Sequence, residues 1–334
     1  MNDSYAAHPP NDLQGNILGR GKYVENGREY SIWHKGKYLF PVDEIEMDRM
    51  DAMHKFFMVA RRYNLCGAHI IDLDNLNQAP ANPQILDLGC GTGIWALDVA
   101  KKFWDVRENK FKDGHVWAVD KCLDMQPQNI YPNSSFIYLD MEEPWPAEVA
   151  PDSKHLIHAR MAAGSVLSWP QLYIQAFRHL TPGNGWFEQV EIDWDFANDH
   201  GPVSPRLRYW SNEILDATDR TGRSLRIDRN YTIQALAHAG FVDIREEVLH
   251  IRVNGGSREP WEIDVGRWFN LCLHKGFMGL SLAPLVNVKQ WTPQQVEVLQ
   301  NEVLREISDR NNTSYCRLYV WSARRPGSEQ HNFR

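Results

Sequence analysis

Short apolar runs alternate with segments of helical spacing over most of the chain. ILDL (Ile85 to Leu88), HVWAVD (His115 to Asp120), SFIYLD (Ser135 to Asp140), HLIHARM (His155 to Met161) and GWFEQVEIDW (Gly185 to Trp194) have the length and composition of buried strands. FVDIREEVLHIRV (Phe241 to Val253) and SYCRLYVWSARR (Ser314 to Arg325) add two more, the last near the C-terminus. Between the strands, TGIWALDVAKKF sets Ala96, Val99, Ala100 and Phe103 on one helical face, and PQLYIQAFRHL reads as a second helix. Residues 200–239 and most of 257–310 are also helical in pattern. Strands separated by helices predict an α/β fold: a seven-stranded, mostly parallel sheet with helices on both faces.

Upstream, DEIEMDRMDAMHKFFMVARR (Asp43 to Arg62) carries an apolar stripe of Ile45, Met50, Met53, Phe57 and Ala60, with acidic residues in its first turn. That is the pattern of an amphipathic helix. Residues 1–20 read as a loose polar arm, and NQAPANP (Asn77 to Pro83) as a linker. The expected division is an arm (1–20), an N-terminal helical segment (21–76) and a main domain (77–334) with helical insertions near 200–239 and 257–310.

Composition narrows the setting. Hydrophobic residues make up 43% and charged residues 24%, as in an ordinary globular chain, and the 13 tryptophans predict aromatic burial. A net charge of −7 gives nucleic acid no electrostatic help, so no direct nucleic-acid partner is expected. The five cysteines are scattered and form no CxxC pair, so neither a disulfide framework nor a metal site is expected. MNDSYAAHPP has no signal-peptide pattern, and no run of about 18 apolar residues predicts a membrane span. The expected setting is reducing and intracellular, cytoplasmic or nuclear.

The chemistry begins at ILDLGCGTGIW. Gly89, Gly91 and Gly93 stand directly between a strand and a helix. Glycine there permits positive φ and lets a ligand touch backbone. A phosphate loop wants GK[ST], and no lysine is near. A dinucleotide turn wants glycine where Ile94 stands, which counts against it. The remaining class is the S-adenosylmethionine turn of Rossmann-like methyltransferases, [DE]-x-G-x-G-x-G, and Asp87 to Gly93 matches it in full. Asp87 would face the ammonium side of that cofactor. Asp120 ends strand two and is suited to a ribose diol. It follows Gly93 by 27 positions (120 − 93), and DVRENKFKDG reads as an inserted loop that accounts for the excess. Asp140 ends strand three, beside Met141, and would lie near the adenine amine. With Cys90 inside the turn, these residues form the expected cofactor site. Tyr38, in the aromatic segment ENGREYSIWHKGKYLFP, is expected to close over it as part of an N-terminal lid.

At this point the sequence resembles the fungal LaeA-like methyltransferases. The markers are ENGREY, KYLFPVDEIEMDRMDAMHK, the glycine turn, AGSVLSWPQLY, WFEQVEIDW, RWFNL and LSLAP, spread over residues 23–325. The resemblance implies a class I methyltransferase fold. It also implies an activity ranging from regulation with velvet-type protein partners to tailoring of secondary metabolites. Here about 20 residues precede the matching part, where the global regulator has a long disordered region, and LTPGNGW carries one extra residue before strand five. A paralogue of that regulator fits as well as the regulator itself.

The expected acceptor is a small molecule or a protein. Methyl transfer is an in-line displacement that positioning can drive, so an amine or thiolate acceptor needs little help, while a hydroxyl wants a general base. Candidate bases are His158, Glu188 and Glu191, with Arg160 and Asp193 nearby at the ends of strands four and five. Arg267 and Trp268 are candidates for an acceptor pocket. The alternatives are a cofactor-binding regulatory subunit and, more weakly, a dinucleotide oxidoreductase.

Overall fold

All seven apolar runs form strands, and all seven join one sheet. The computed structural model describes residues 20–75, 79–105 and 110–327. Most of the expected arm and the first two residues of the expected linker lie outside the described residues.

In chain order the strands are β1 (Lys22–Glu25), β2 (Arg28–Ser31), β3 (Gln84–Leu88), β4 (Trp104–Asp105), β5 (Lys110–Phe111), β6 (His115–Asp120), β7 (Ser134–Tyr138), β8 (Leu156–Arg160), β9 (Trp186–Ala197), β10 (Val242–Arg252) and β11 (Tyr315–Arg324). The helices are α1 (Glu44–Ala60), α2 (Ile94–Lys102), α3 (Trp169–His179), α4 (Pro205–Asp219), α5 (Arg229–His238), α6 (Pro260–Ala283) and α7 (Pro293–Ser308). The large sheet has the order β10-β11-β9-β8-β3-β6-β7. β9, β8, β3, β6 and β7 pair in parallel, while β11 runs antiparallel between β9 and β10. This is the class I methyltransferase sheet. Chain order reverses between β3 and β8, the point where such sheets open a crevice for a ligand.

Strand alternation sorts the core into layers. Leu86, Leu88, Ile157, Ala159 and Phe187 pack with α3 and α5 on one face. Ile85, Val116, Ala118 and Leu156 meet Trp95 and Ala96 of α2 on the other. Val190, Ile192 and Trp194 continue that second face under Phe56, Phe57, Phe269 and Phe277, from α1 and α6. The N-terminal helix therefore shares a core with a helix more than 200 positions later in the chain. The span Pro260–Val288 is long and apolar enough, at mean hydropathy 1.3, to cross a membrane on length and composition alone; 61% of that window is buried in this fold. The same residues serve as a core helix.

Two small ribbons depart from the expected pattern. β1 and β2 form a hairpin across Asn26 (φ 49°) and Gly27 (φ 75°), the left-handed pair that a tight hairpin turn requires. β4 and β5 form a second antiparallel ribbon inside the segment expected to be a loop, and it accounts for the late position of Asp120.

One buried ion pair ties α1 to the sheet. Arg61, just past α1, donates from Nη1 and Nη2 to the two carboxylate oxygens of Glu188 at 2.9 and 2.7 Å. The backbone N–H of Gly67 donates to the same carboxylate at 2.9 Å. Removing one partner leaves a buried, uncompensated charge, which costs about 3–5 kcal/mol. Arg61→Ala is therefore expected to lower the free energy of urea unfolding by about that amount, and Arg61→Met combined with Glu188→Gln by clearly less. Equal losses in the two variants would mean that the pair is not what holds α1 there.

Candidate functional site

The glycine turn has an alternating backbone that only glycine adopts without strain. Gly89, Gly91 and Gly93 have φ of 68°, 55° and 75°. A Cβ on Gly93 would sit 2.3 Å from the Phe136 ring, and one on Gly91 would sit 3.0 Å from Met50 Sδ. The turn is fastened to the neighbouring strand. Gly89 N–H and Cys90 N–H both donate to Val119 O, and Gly91 N–H donates to Asp120 Oδ2 at 2.9 Å. Asp120 Oδ1 accepts Cys122 N–H at 2.7 Å.

A cavity opens above this turn at the C-terminal ends of β3, β6 and β8. Asp87, Gly89, Cys90, Gly91, Asp120, Asp140, Met141 and Tyr38 all line it. Of the expected cofactor residues, only Gly93 stands back from the wall, packed on Phe136. The opposite wall comes from the N-terminal segment, through His34, Phe40, Met50, Met53, His54 and Phe57. That segment is held down at several points. Arg28 grips Asp43 through two bonds of 2.7 and 2.8 Å, Asp43 caps α1 through Glu46 N–H, and Arg49 bonds Glu46 at 2.7 Å. Thr92 Oγ1 donates to Asp51 at 2.8 Å, joining α1 to the glycine turn.

The expected bases do not line the cavity. His158 is fully buried, stacked on the Trp95 indole at 3.8 Å between ring centres, with Nδ1 3.2 Å from Asp87 Oδ1. Burial, aided by the nearby Arg160 guanidinium, holds its pKa well below the ordinary histidine value, so the ring is neutral. Glu188 is the buried partner of Arg61 on the same face. Glu191 points to the opposite face, three residues along the strand, where it accepts from Ala162 and Ala163 N–H. Burial pushes its pKa up to about 8 despite those bonds. Strand parity turns Glu191 to the other face, while His158 and Glu188 share the face of Asp87 but are engaged there by Trp95, Arg61 and Gly67. Asp193 accepts Asp195 N–H away from the cavity. Arg267 is exposed beside Asp264, and Trp268 packs on the core, so neither lines the cavity. Among the described residues no cluster of three or more His, Cys, Asp or Glu is placed to hold a metal ion, and all five cysteines are unpaired.

Comparison with known proteins agrees with this geometry. A family model described as a methyltransferase domain matches residues 60–245. The secondary metabolism regulator LAE1 of Cochliobolus heterostrophus is 41% identical over 308 residues, covering 91% of this chain and 95% of that protein. The protein-methionine methyltransferase laeA of Emericella nidulans is 38% identical over 306 residues, covering 91% of this chain and 76% of its own. The chain belongs to the LaeA/LAE1 family. Among solved structures, a Haemonchus contortus phosphoethanolamine N-methyltransferase 2 in complex with S-adenosylmethionine aligns with TM-score 0.42 at 14% identity, over 78% of this chain and 53% of its own.

The methyltransferase domain of the LaeA/LAE1 family uses S-adenosylmethionine, and the residues present fit it. Each oxygen of Asp120 accepts one backbone N–H and keeps a lone pair for a hydroxyl. The three left-handed glycines leave room that a Cβ would fill. Cys90 is a neutral thiol, because burial and the carboxylates of Asp120 and Asp87 push its pKa well up. Burial lifts Asp87 to about 7, partly offset by Arg160 and reinforced by Asp120. Lys121, Met50, Met53 and His54 also line the cavity; Lys121 is marked locally by its place next to Asp120, while the three α1 residues arrive only through contacts across the fold.

Asp87 gives this LaeA/LAE1-family site a pH signature. Its folded pKa lies above the ordinary unfolded value, so its contribution to stability is present at low pH and is lost as pH rises through about 7. Asp87→Asn keeps an acceptor for His158 and never ionises. The melting temperature of this variant relative to the unmodified chain is expected to rise between pH 5 and pH 8.5, measured without cofactor. A difference that does not change with pH would show that Asp87 is not a buried titrating group.

Proposed function

We propose that this chain is an S-adenosylmethionine-dependent methyltransferase whose acceptor attacks without first losing a proton. The observation that carries the reading is the distribution of polar groups around the cavity. The groups offered as bases, His158, Glu188 and Glu191, are engaged in buried hydrogen bonds behind its wall. The two histidines that do line it are also engaged: His34 Nε2 with Lys121 O, and His54 with Asp98 and Arg160. Five of the nine methionines (Met50, Met53, Met125, Met141 and Met161) line the same cavity beside Phe40, Phe57, Leu225 and Leu280. Such walls suit an apolar or polarisable acceptor.

When bound, S-adenosylmethionine supplies a methyl group on a sulfonium, open to in-line displacement. The protein's part is positioning: Asp87, Asp120 and Asp140 orient, the glycine turn admits close approach, and the N-terminal wall excludes water. A thioether carries a free lone pair at neutral pH and needs no base, whereas an alkyl amine is protonated there and would first have to lose a proton. The name of the Emericella nidulans relative makes a protein methionine the first acceptor to try. The names of other relatives, secondary metabolism regulators, favour a second reading, a cofactor-binding regulatory subunit, for which the resemblance suggests a velvet-type nuclear partner.

S-adenosylhomocysteine is expected to raise the melting temperature in a concentration-dependent way, with no effect from NAD, and Gly91→Val is expected to abolish the response. Stabilisation by NAD alone would overturn the assignment. With labelled cofactor at saturation and an accepting protein, kcat should stay flat between pH 6.5 and 8.5. A tenfold rise per pH unit would reveal a general base. If Gly91→Val still supports partner association and gene control, the second reading stands.

A further inference from the structure

The glycine turn has few amides to offer an anion. Gly89 and Cys90 N–H are engaged with Val119 O, Gly91 N–H with Asp120, and Gly93 N–H with Cys90 O. These four turn amides are thus closed to a ligand's carboxylate, and the cations around the cavity are the stronger candidates for it. Three cations line the cavity. Arg49 is paired with Glu46. Lys121 follows Asp120 on β6 and lies over the Tyr38 ring at 5.2 Å, influenced by Asp140 and Asp120.

Arg160 differs from Arg49 in having no carboxylate partner among the described residues, and from both in its place beside Asp87 on the neighbouring strand. It is the last residue of β8, two positions beyond His158, which is in register with Asp87 on the adjacent parallel strand. Arg160 and Asp87 are thus diagonal neighbours on one face, and both line the cavity. Among the described residues no carboxylate lies within ion-pair distance of Arg160. Its guanidinium lies 4.8 Å over the Phe57 ring, and Nη2 is 3.2 Å from His54 Nδ1. His54 Nε2 lies 3.0 Å from Asp98 Oδ2. A neutral ring with its proton on Nε2 donates to Asp98 and accepts from Arg160, and burial keeps His54 neutral. A guanidinium has five N–H donors, and one of them is engaged here. Burial without a paired carboxylate pulls its pKa down to about 10, the signature of a cation short of its counter-charge.

A carboxylate whose described partner is a neutral histidine and a guanidinium with no carboxylate partner among the described residues, side by side on the wall of one cavity, complement a zwitterion. We propose that Arg160 binds the α-carboxylate of the cofactor's methionyl end while Asp87 faces its α-ammonium, with His54 and Asp98 holding the guanidinium in position. This rests on the S-adenosylmethionine reading above.

Calorimetric titration of the full chain with three ligands tests it: S-adenosylhomocysteine, its decarboxylated analogue, and 5′-methylthioadenosine, which lacks the amino-acid end. The unmodified chain is expected to bind S-adenosylhomocysteine about 10- to 100-fold more tightly than the decarboxylated analogue, the range for a charge-assisted hydrogen bond. Arg160→Gln should erase that preference by weakening S-adenosylhomocysteine alone, Arg160→Lys should restore part of it, and His54→Ala should reduce it. Equal affinity of the unmodified chain for the first two ligands overturns the proposal without need of any variant. So does an Arg160→Gln protein that weakens both ligands equally, or neither. Failure of all three ligands to bind would instead remove the cofactor reading on which the proposal rests.

Discussion

The hydrogen bond from Gly91 N–H to Asp120 is the contact on which the site depends. A backbone that turns left-handed at every second residue makes no ladder of its own, so its amides must be satisfied from outside. Val119 O and the Asp120 carboxylate do this, and they lock the end of β3 to the end of β6. The requirement for glycine at positions 91 and 93 follows, because the locked turn lies against Met50 and Phe136. So does the placement of α1, whose Asp51 takes the Thr92 hydroxyl of the same turn. Burial raises the Asp120 pKa, and the amides of Cys122 and Gly91, with the adjoining Lys121, oppose that shift.

The N-terminal wall is a fixed part of this arrangement. Arg28, Asp43, Glu46 and Arg49 form a buried charge network that ties the β1–β2 hairpin to α1. Gly276 and Gly279 of α6 make room for it, since a Cβ there would stand 2.6 Å from Arg49 Cδ or 2.7 Å from Glu46 Oε2. Breaking one member would strand a buried charge, so the network resists partial opening. The cavity's outer wall is thus fixed by α6, the helix inserted between β10 and β11.

Much of this was legible in the sequence where the signal is local. The seven strands, the glycine turn and the acids at the ends of β3, β6 and β7 follow from period-two runs and from the conformational freedom of glycine. Asn26-Gly27 is also a local hairpin signal, inside a stretch read as a family marker and as the aromatic lid segment. What was not legible required distant partners. The alternation of Glu188, Val190 and Ile192 shows that they share a face without showing which face it is. Glu188 meets Arg61 from 127 positions away, and Arg160 meets His54 from 106. No pattern along the chain marks such pairs, so the same acids and bases looked equally fit for catalysis.

The contrast between the two ends of one polar row separates structure from function. Glu188, His158, Asp87 and Arg160 lie on one face of β9, β8 and β3, in a layer that is otherwise apolar. At the inner end Glu188 is saturated by Arg61 and Gly67, the arrangement expected of a buried charge that serves packing. His158 is the neutral link, with Nε2 3.8 Å from Glu188 and no hydrogen-bond partner among the described residues. At the outer end Asp87 and Arg160 are both desolvated and make no ion pair with each other. Unrelieved desolvation of that kind persists only where something else over-determines the geometry, and it is concentrated where ligands bind. The row therefore runs from satisfied to unsatisfied in the direction of the cavity.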